Sequence, residues 1–173
     1  MATYTLISSN VLSSSAASVT FSSIPATYTD LVLRVSGRSS VASTQSNLAI
    51  ELNADSSSLY SATFLFMTGV TAYSQNWTGD TYARTYGNTV GSTATANTFS
   101  NFELYLPSYT ASQNKPLSTF GVTENNSAND ATITATANLY RSTTAISSLR
   151  FFNNDSSSFV TGSSFYLYGI SSN

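Results

Sequence analysis

Run after run of this chain alternates apolar and polar residues with a period of two, while helical periodicity is nearly absent. That pattern commits a segment to a strand with one face turned toward a core. Thr132 to Tyr140 is the plainest instance, with Thr132, Thr134 and Thr136 alternating with Ile133, Ala135 and Ala137. A row of threonines makes a pleated surface that stays in water without charge, so this face is expected to be the solvated one. In Asp30 to Gly37, Leu31, Leu33 and Val35 share one face, with Val32, Arg34 and Ser36 on the other. In Asn47 to Leu52, Leu48, Ile50 and Leu52 oppose Ala49 and Glu51. Ser18 to Ser22, Tyr60 to Thr68, Phe99 to Leu106, Leu117 to Thr123, Ala145 to Asn153 and Ser163 to Ile170 continue the theme. All are rich in the β-branched and aromatic residues that suit a half-buried pleated surface.

Turn formers separate the runs: Ile24-Pro25, Ala54-Asp55-Ser56-Ser57, Pro107-Ser108, Asn125-Asn126-Ser127 and Asn153-Asn154-Asp155. About eight to ten strands at this spacing predict an all-β fold, an antiparallel β-sandwich of jelly-roll type. Residues 1–173 read as a single domain, a length that supports one real core. Residues 1–15 leave open an extended N-terminal arm or a paired edge strand. Residues 75–98, rich in Gly, Asn, Thr and Tyr, read as a long loop with at most a short hairpin. One echo stands out: Asn53-Ala54-Asp55-Ser56-Ser57-Ser58 is matched by Asn153-Asn154-Asp155-Ser156-Ser157-Ser158. Two uses of one turn chemistry account for it, because Asp side chains close such turns on their own backbone.

What the side chains can do chemically is narrow. The chain has no His and no Cys, which removes Ser-His-Asp and Cys nucleophile arrangements and the nitrogen and sulfur ligands of zinc. Cofactors and metals are not expected, nor is an enzyme. Glu51 and Glu103 sit inside predicted strands, where a carboxylate pair could serve glycoside hydrolysis, and each is better explained by solvent or by an arginine such as Arg34 or Arg38. Asp55 and Asp155 offer too few oxygens for calcium, which needs about six to eight. The net charge is -2 and the basic residues are scattered, so no nucleic-acid footprint forms and no charge run recruits a membrane. The N-terminal residues lack the pattern of a secretory signal, so synthesis in a cytoplasm and release by another route, such as lysis, are expected. Only 8% of residues are charged. Interface cores are poor in charge and rich in Tyr, Trp and Phe, so part of this surface is expected to be covered by a partner. Tyr73, Trp77, Tyr82 and Tyr86 cluster in the irregular region among Asn, Thr and Gly. They suit a glycan-stacking platform or a protein contact, or alternatively a loop folded onto the sandwich by its own rings.

Three segments carry a resemblance: Phe21 to Arg38, containing Ile24-Pro25-Ala26-Thr27-Tyr28-Thr29-Asp30-Leu31; Leu52 to Ser61, containing Asn53-Ala54-Asp55; and Thr161 to Ile170, ending Leu167-Tyr168-Gly169-Ile170. Together they resemble the small jelly-roll virion structural proteins of tailed bacteriophages. Ala54 stands where that family usually has Gly, so the turn is expected to avoid a left-handed backbone. On this reading Ile24 enters the core, Pro25 fixes a corner, Tyr28 lies across the sandwich end with its hydroxyl bonded, and Gly169 permits close backbone packing. The resemblance implies a capsid decoration or cement protein on the outer surface of the virion. It would form a homotrimer and bind the major capsid protein without covalent links. The alternative it implies is a tail fibre or receptor-binding module that recognises host surface glycan.

Overall fold

The computed structural model of the protein describes residues 2–127 and 130–171. Every regular element in them is a strand: β1 (Thr3–Val11), β2 (Ser18–Phe21), β3 (Asp30–Ser36), β4 (Gln45–Ser46), β5 (Leu48–Leu52), β6 (Tyr60–Thr68), β7 (Thr71–Asp80), β8 (Ala83–Arg84), β9 (Thr89–Val90), β10 (Asn101–Leu106), β11 (Lys115–Val122), β12 (Thr132–Tyr140), β13 (Leu149–Asn153) and β14 (Ser164–Ser171). The expected all-β antiparallel sandwich is what forms, with unequal layers. One sheet has eight strands in the order β1-β14-β3-β10-β11-β12-β6-β7, and the other has four in the order β2-β13-β5-β8. Strand pairs β4 and β9 form a small separate ladder.

The core lies where the alternation places it over half of the large sheet. Leu31, Leu33, Leu104, Phe165 and Leu167 face Val19, Ile50, Leu52, Leu149 and Phe151 of the small sheet, all of them buried. Rings interlock between the layers, Phe151 lying 6.2 Å from Phe165 and Phe159 packing edge-on against Phe165 at 5.0 Å. Burying each such side chain contributes about 1.5–3 kcal/mol, which makes this the main source of cohesion.

One segment resolves an open alternative and another departs from expectation. Residues 1–15 do not form an arm: Thr3–Val11 is an edge strand paired antiparallel with β14, bulged at Ile7, and Met1 lies outside the described residues. Residues 75–98 are not one loop either. Thr71–Asp80 is the other edge strand, joined to β6 by Gly69-Val70, a two-residue turn with Gly69 at φ 54°. Glycine at the first central position is what that kind of hairpin turn demands. The rest of the segment is irregular but pinned. The guanidinium of Arg38 donates to the carbonyls of Thr95 and Thr98 (both 2.9 Å), Ala94 (3.1 Å) and Ser92 (3.3 Å).

The motif residues sit at one end of the sandwich. Ile24 enters the core as expected. A Cβ on Gly169 would lie 2.2 Å from the Tyr28 ring, so glycine is there to seat that ring. The hydroxyl that closes the corner is that of Tyr109, which donates to the Pro25 carbonyl and accepts from the Tyr28 N–H at 3.4 Å. The Asn53-Ala54 turn corrects the expectation for Ala54. Both residues are left-handed, at φ 55° and 54°, and the Asp55 N–H closes on the Leu52 carbonyl at 3.0 Å. In the echo, Ser156 is the left-handed residue, at φ 64°. The two turns therefore share the Asp-to-Ser bonds, Asp55 with Ser57 and Asp155 with Ser157, but not the backbone.

Candidate functional site

The threonine face of β12 points inward. Thr132, Thr134 and Thr136 are 2%, 0% and 3% exposed, which reverses the expectation of a solvated row. The cause is the chain crossing the inner face of the sheet between residues 84 and 88. Its backbone polar groups need partners in a place without water. Thr134 Oγ1 donates to the Tyr86 carbonyl at 2.8 Å, Thr132 Oγ1 lies 3.1 Å from the Gly87 carbonyl, and Asn138 exchanges two bonds with the Arg84 backbone. Thr132, Thr134 and Asn138 on the inward side of β12 thus stand in for a paired strand, while the buried Thr136 hydroxyl between them has no hydrogen-bond partner.

Alternation then obliges the other side of β12 to be apolar and to face out. Ile133 is 50% exposed, with Leu65 (57%) and Met67 (45%) beside it on β6 and Phe120 (56%) on β11. The register lines them up: Leu65 opposes Ala135, Ala135 opposes Phe120, and Met67 opposes Ile133, which opposes Val122. A depression of about 400 Å³ includes Leu65, Ala135 and Ala137, and another of about 440 Å³ lies among Met67, Val122 and Ile133 with Glu124 at its rim. The strands β6, β11 and β12 place no charged residue on this face. Charge lies at its margins: Glu124 borders the second depression, and Arg34 and Glu103 are bonded to each other at 3.1 Å on the adjoining strands. Contiguous outward apolar patches are uncommon on monomeric soluble proteins. The period-two signal was visible in the sequence; which of the two faces was inside was not.

The rings singled out in the sequence, Tyr73, Trp77, Tyr82 and Tyr86, come together on the opposite side of the β6–β7 hairpin. Tyr73 stacks on Phe66 (5.0 Å), Tyr86 lies over Phe66 (3.9 Å) and Phe64 (5.8 Å), and Trp77 stacks on Phe64 at 4.4 Å. The Arg84 guanidinium lies over both Trp77 (5.1 Å) and Tyr82 (5.3 Å), and Tyr82 meets Phe152 edge-on at 5.5 Å. Asp80 holds Arg84 in place, with Nη2 to Oδ1 at 2.9 Å, and this bond raises the Arg84 pKa above its ordinary value. Much of the ring area is spent on neighbouring rings; Tyr73 keeps the most, at 45% exposed.

The remaining candidates are dispersed. Glu103 lies on the outer face of the large sheet with Arg34, while Glu51 lies on the small sheet, 3.2 Å from Arg150. The two carboxylates do not share a groove. Asp55 accepts from Ser57 and from the Tyr140 hydroxyl (2.6 Å), and those bonds hold its carboxyl below the usual range. Asp155 is bonded by Ser157 and Ser46; burial pushes its pKa up, but these bonds outweigh it and the net shift is downward. Among the described residues no three His, Cys, Asp or Glu gather as a metal site.

No known family model and no curated protein matches the chain. Solved structures that align with it include scytalido-glutamic peptidase with a transition-state analogue inhibitor, at 10% identity and TM-score 0.28, covering 92% of this chain and 66% of that one. Alginate lyase vAL-1 from Chlorella virus aligns at 8% identity and TM-score 0.25, covering 93% and 83%. Infectious bursal disease virus, Gt strain, aligns at 12% identity and TM-score 0.14, covering 100% and 42%. Overlays this loose carry no inference about what the chain does.

Proposed function

We propose that this protein is a virion surface protein of a tailed bacteriophage that seats its outer sheet face on the capsid shell. There it acts as a decoration or cement protein between capsomers. The observation that carries the reading is the uncharged patch of Leu65, Met67, Phe120 and Ile133, set on a rigid eight-stranded sheet. Such a patch adheres by burying apolar area, about 25 cal/mol per Å², and needs no charge complementarity from the shell. The motif resemblance around Ile24-Pro25, Asn53 to Asp55 and Tyr168-Gly169-Ile170 supports the virion setting. Many modest contacts repeated over a symmetric shell add up to firm attachment.

The test is the copy number of the protein in purified particles, together with the behaviour of heads that lack it. Hundreds of copies per particle and heads that burst on heating support the reading. About a dozen copies, or deletion heads as robust as wild type, overturn it. A dozen copies would favour the receptor-binding alternative, for which the half-exposed Tyr73 is the ring best placed to meet a glycan.

A further inference from the structure

We infer that β7 is a self-pairing edge, and that two copies of this chain join antiparallel through it about a twofold axis at Gln75. An edge strand presents unpaired N–H and C=O groups, and proteins that stay apart blunt such edges with charge, proline, bulges or shortness. β7 uses little of this. It is ten residues long, carries no proline, and is uncharged from Thr71 to Gly79. Its register against β6 is regular from Thr68–Thr71 to Ser61–Thr78, with an irregularity only where it reaches Asp80. The opposite edge, β1, is broken by its bulge at Ile7, and the edges of the small sheet are strands of four and two residues.

The occupant is a second copy because β7 is complementary to itself. Laid antiparallel about Gln75, it sets Tyr73 against the partner's Trp77, and Trp77 against the partner's Tyr73, on the inner side. Gln75 then meets the partner's Gln75. On the outer side Ser74 meets the partner's Asn76, and Ala72 meets the partner's Thr78. Aromatic pairs and amide pairs are favourable cross-strand neighbours, and no like charges are opposed at any position. Contacts that are reciprocal in this way define an isologous interface, which closes as a dimer and stops. The pairing covers the Tyr73 ring, and it joins two outer faces into one continuous surface. A twofold pair takes the place of the threefold arrangement that the resemblance implied. The inference does not depend on the capsid reading.

Sedimentation and disulfide trapping on the purified full chain test it. The wild-type protein is expected to sediment as a dimer. Gln75→Cys, in a chain with no other cysteine, is expected to cross-link into a covalent dimer on mild oxidation. Val70→Cys, at the fully exposed hairpin tip and away from the axis, is expected to cross-link far less. Gln75→Lys, which sets two ammonium groups face to face at the axis, is expected to give a monomer with an unchanged circular dichroism spectrum. A wild-type monomer or trimer, equal trapping at positions 70 and 75, or a Gln75→Lys protein that remains dimeric would each overturn it. If Gln75→Lys fails to fold, the trapping comparison still decides.

Discussion

Asn138 brackets the backbone of Arg84: its Nδ2 donates to the Arg84 carbonyl and its Oδ1 accepts the Arg84 N–H, both at 3.0 Å. A side-chain amide here does what a neighbouring strand would do, satisfying one residue's donor and acceptor together. The bracket, with the threonine rungs beside it, explains how a polar side of β12 is stable inside the sandwich. It also explains why an apolar side is left outside.

Replacing Asn138 by Ala removes both bonds and leaves two part-buried backbone groups without these partners. Unfolding in urea is expected to show a loss of about 2–4 kcal/mol, at about 1–3 kcal/mol for each orphaned group, of which part is recovered by local relaxation. Thr134→Val, which orphans only the Tyr86 carbonyl, is expected to cost about half as much.

On the other side of the same strands, Leu65→Asp with Phe120→Asp is expected to leave urea stability within about 1 kcal/mol, because both side chains are more than half exposed. Cosedimentation of this double variant with shells lacking the protein is expected to fall at least tenfold. Wild-type binding would remove the face from consideration.

Ala54 occupies a left-handed backbone at φ 54° that costs a non-glycine residue about 1–2 kcal/mol. Ala54→Gly relieves that strain but loosens the unfolded chain, so a net gain of about 0.5–1 kcal/mol is expected in thermal unfolding. Destabilisation would show that the turn is held in another conformation.

Asp55 and Asp155 both have carboxyl pKa values lowered in the folded state by their hydrogen bonds. A depressed carboxyl pKa adds stability that is present above the unfolded value near 4 and is lost as pH falls through the lower folded value. Unfolding free energy is therefore expected to be flat from pH 7 to about 5 and to decline below about 4. Asp55→Asn is expected to lower the plateau and shallow the decline. An acid limb identical to that of wild type would exclude Asp55 as a contributor.

Much of this fold was legible in the residues. Tyr60 to Thr68 and Thr132 to Tyr140 begin and end where the alternation does. Glu103 pairs with Arg34 as the bland reading of that carboxylate held. What was not legible has particular causes. Period two identifies two faces but not which is inside, and for β12 the answer depended on a segment some fifty residues away in sequence, Arg84 to Gly87. The second half of β7 reads as loop because Gln75, Asn76 and Gly79 are weak strand formers, while its pairing with β6 shows Tyr73, Gln75 and Trp77 on one side. The apolar patch was hidden for the same reason as the inward threonines: it is assembled from three strands whose register no local pattern encodes.

The placement of β14 between β1 and β3 has a consequence for biogenesis. Among the described strands β1 pairs with β14 alone, so during synthesis Thr3–Val11 stays unpaired until β14, about 150 residues later, has emerged. Closure over so long a separation in sequence is slow, so the pairing of β1 with β14 is expected to be a late step in folding.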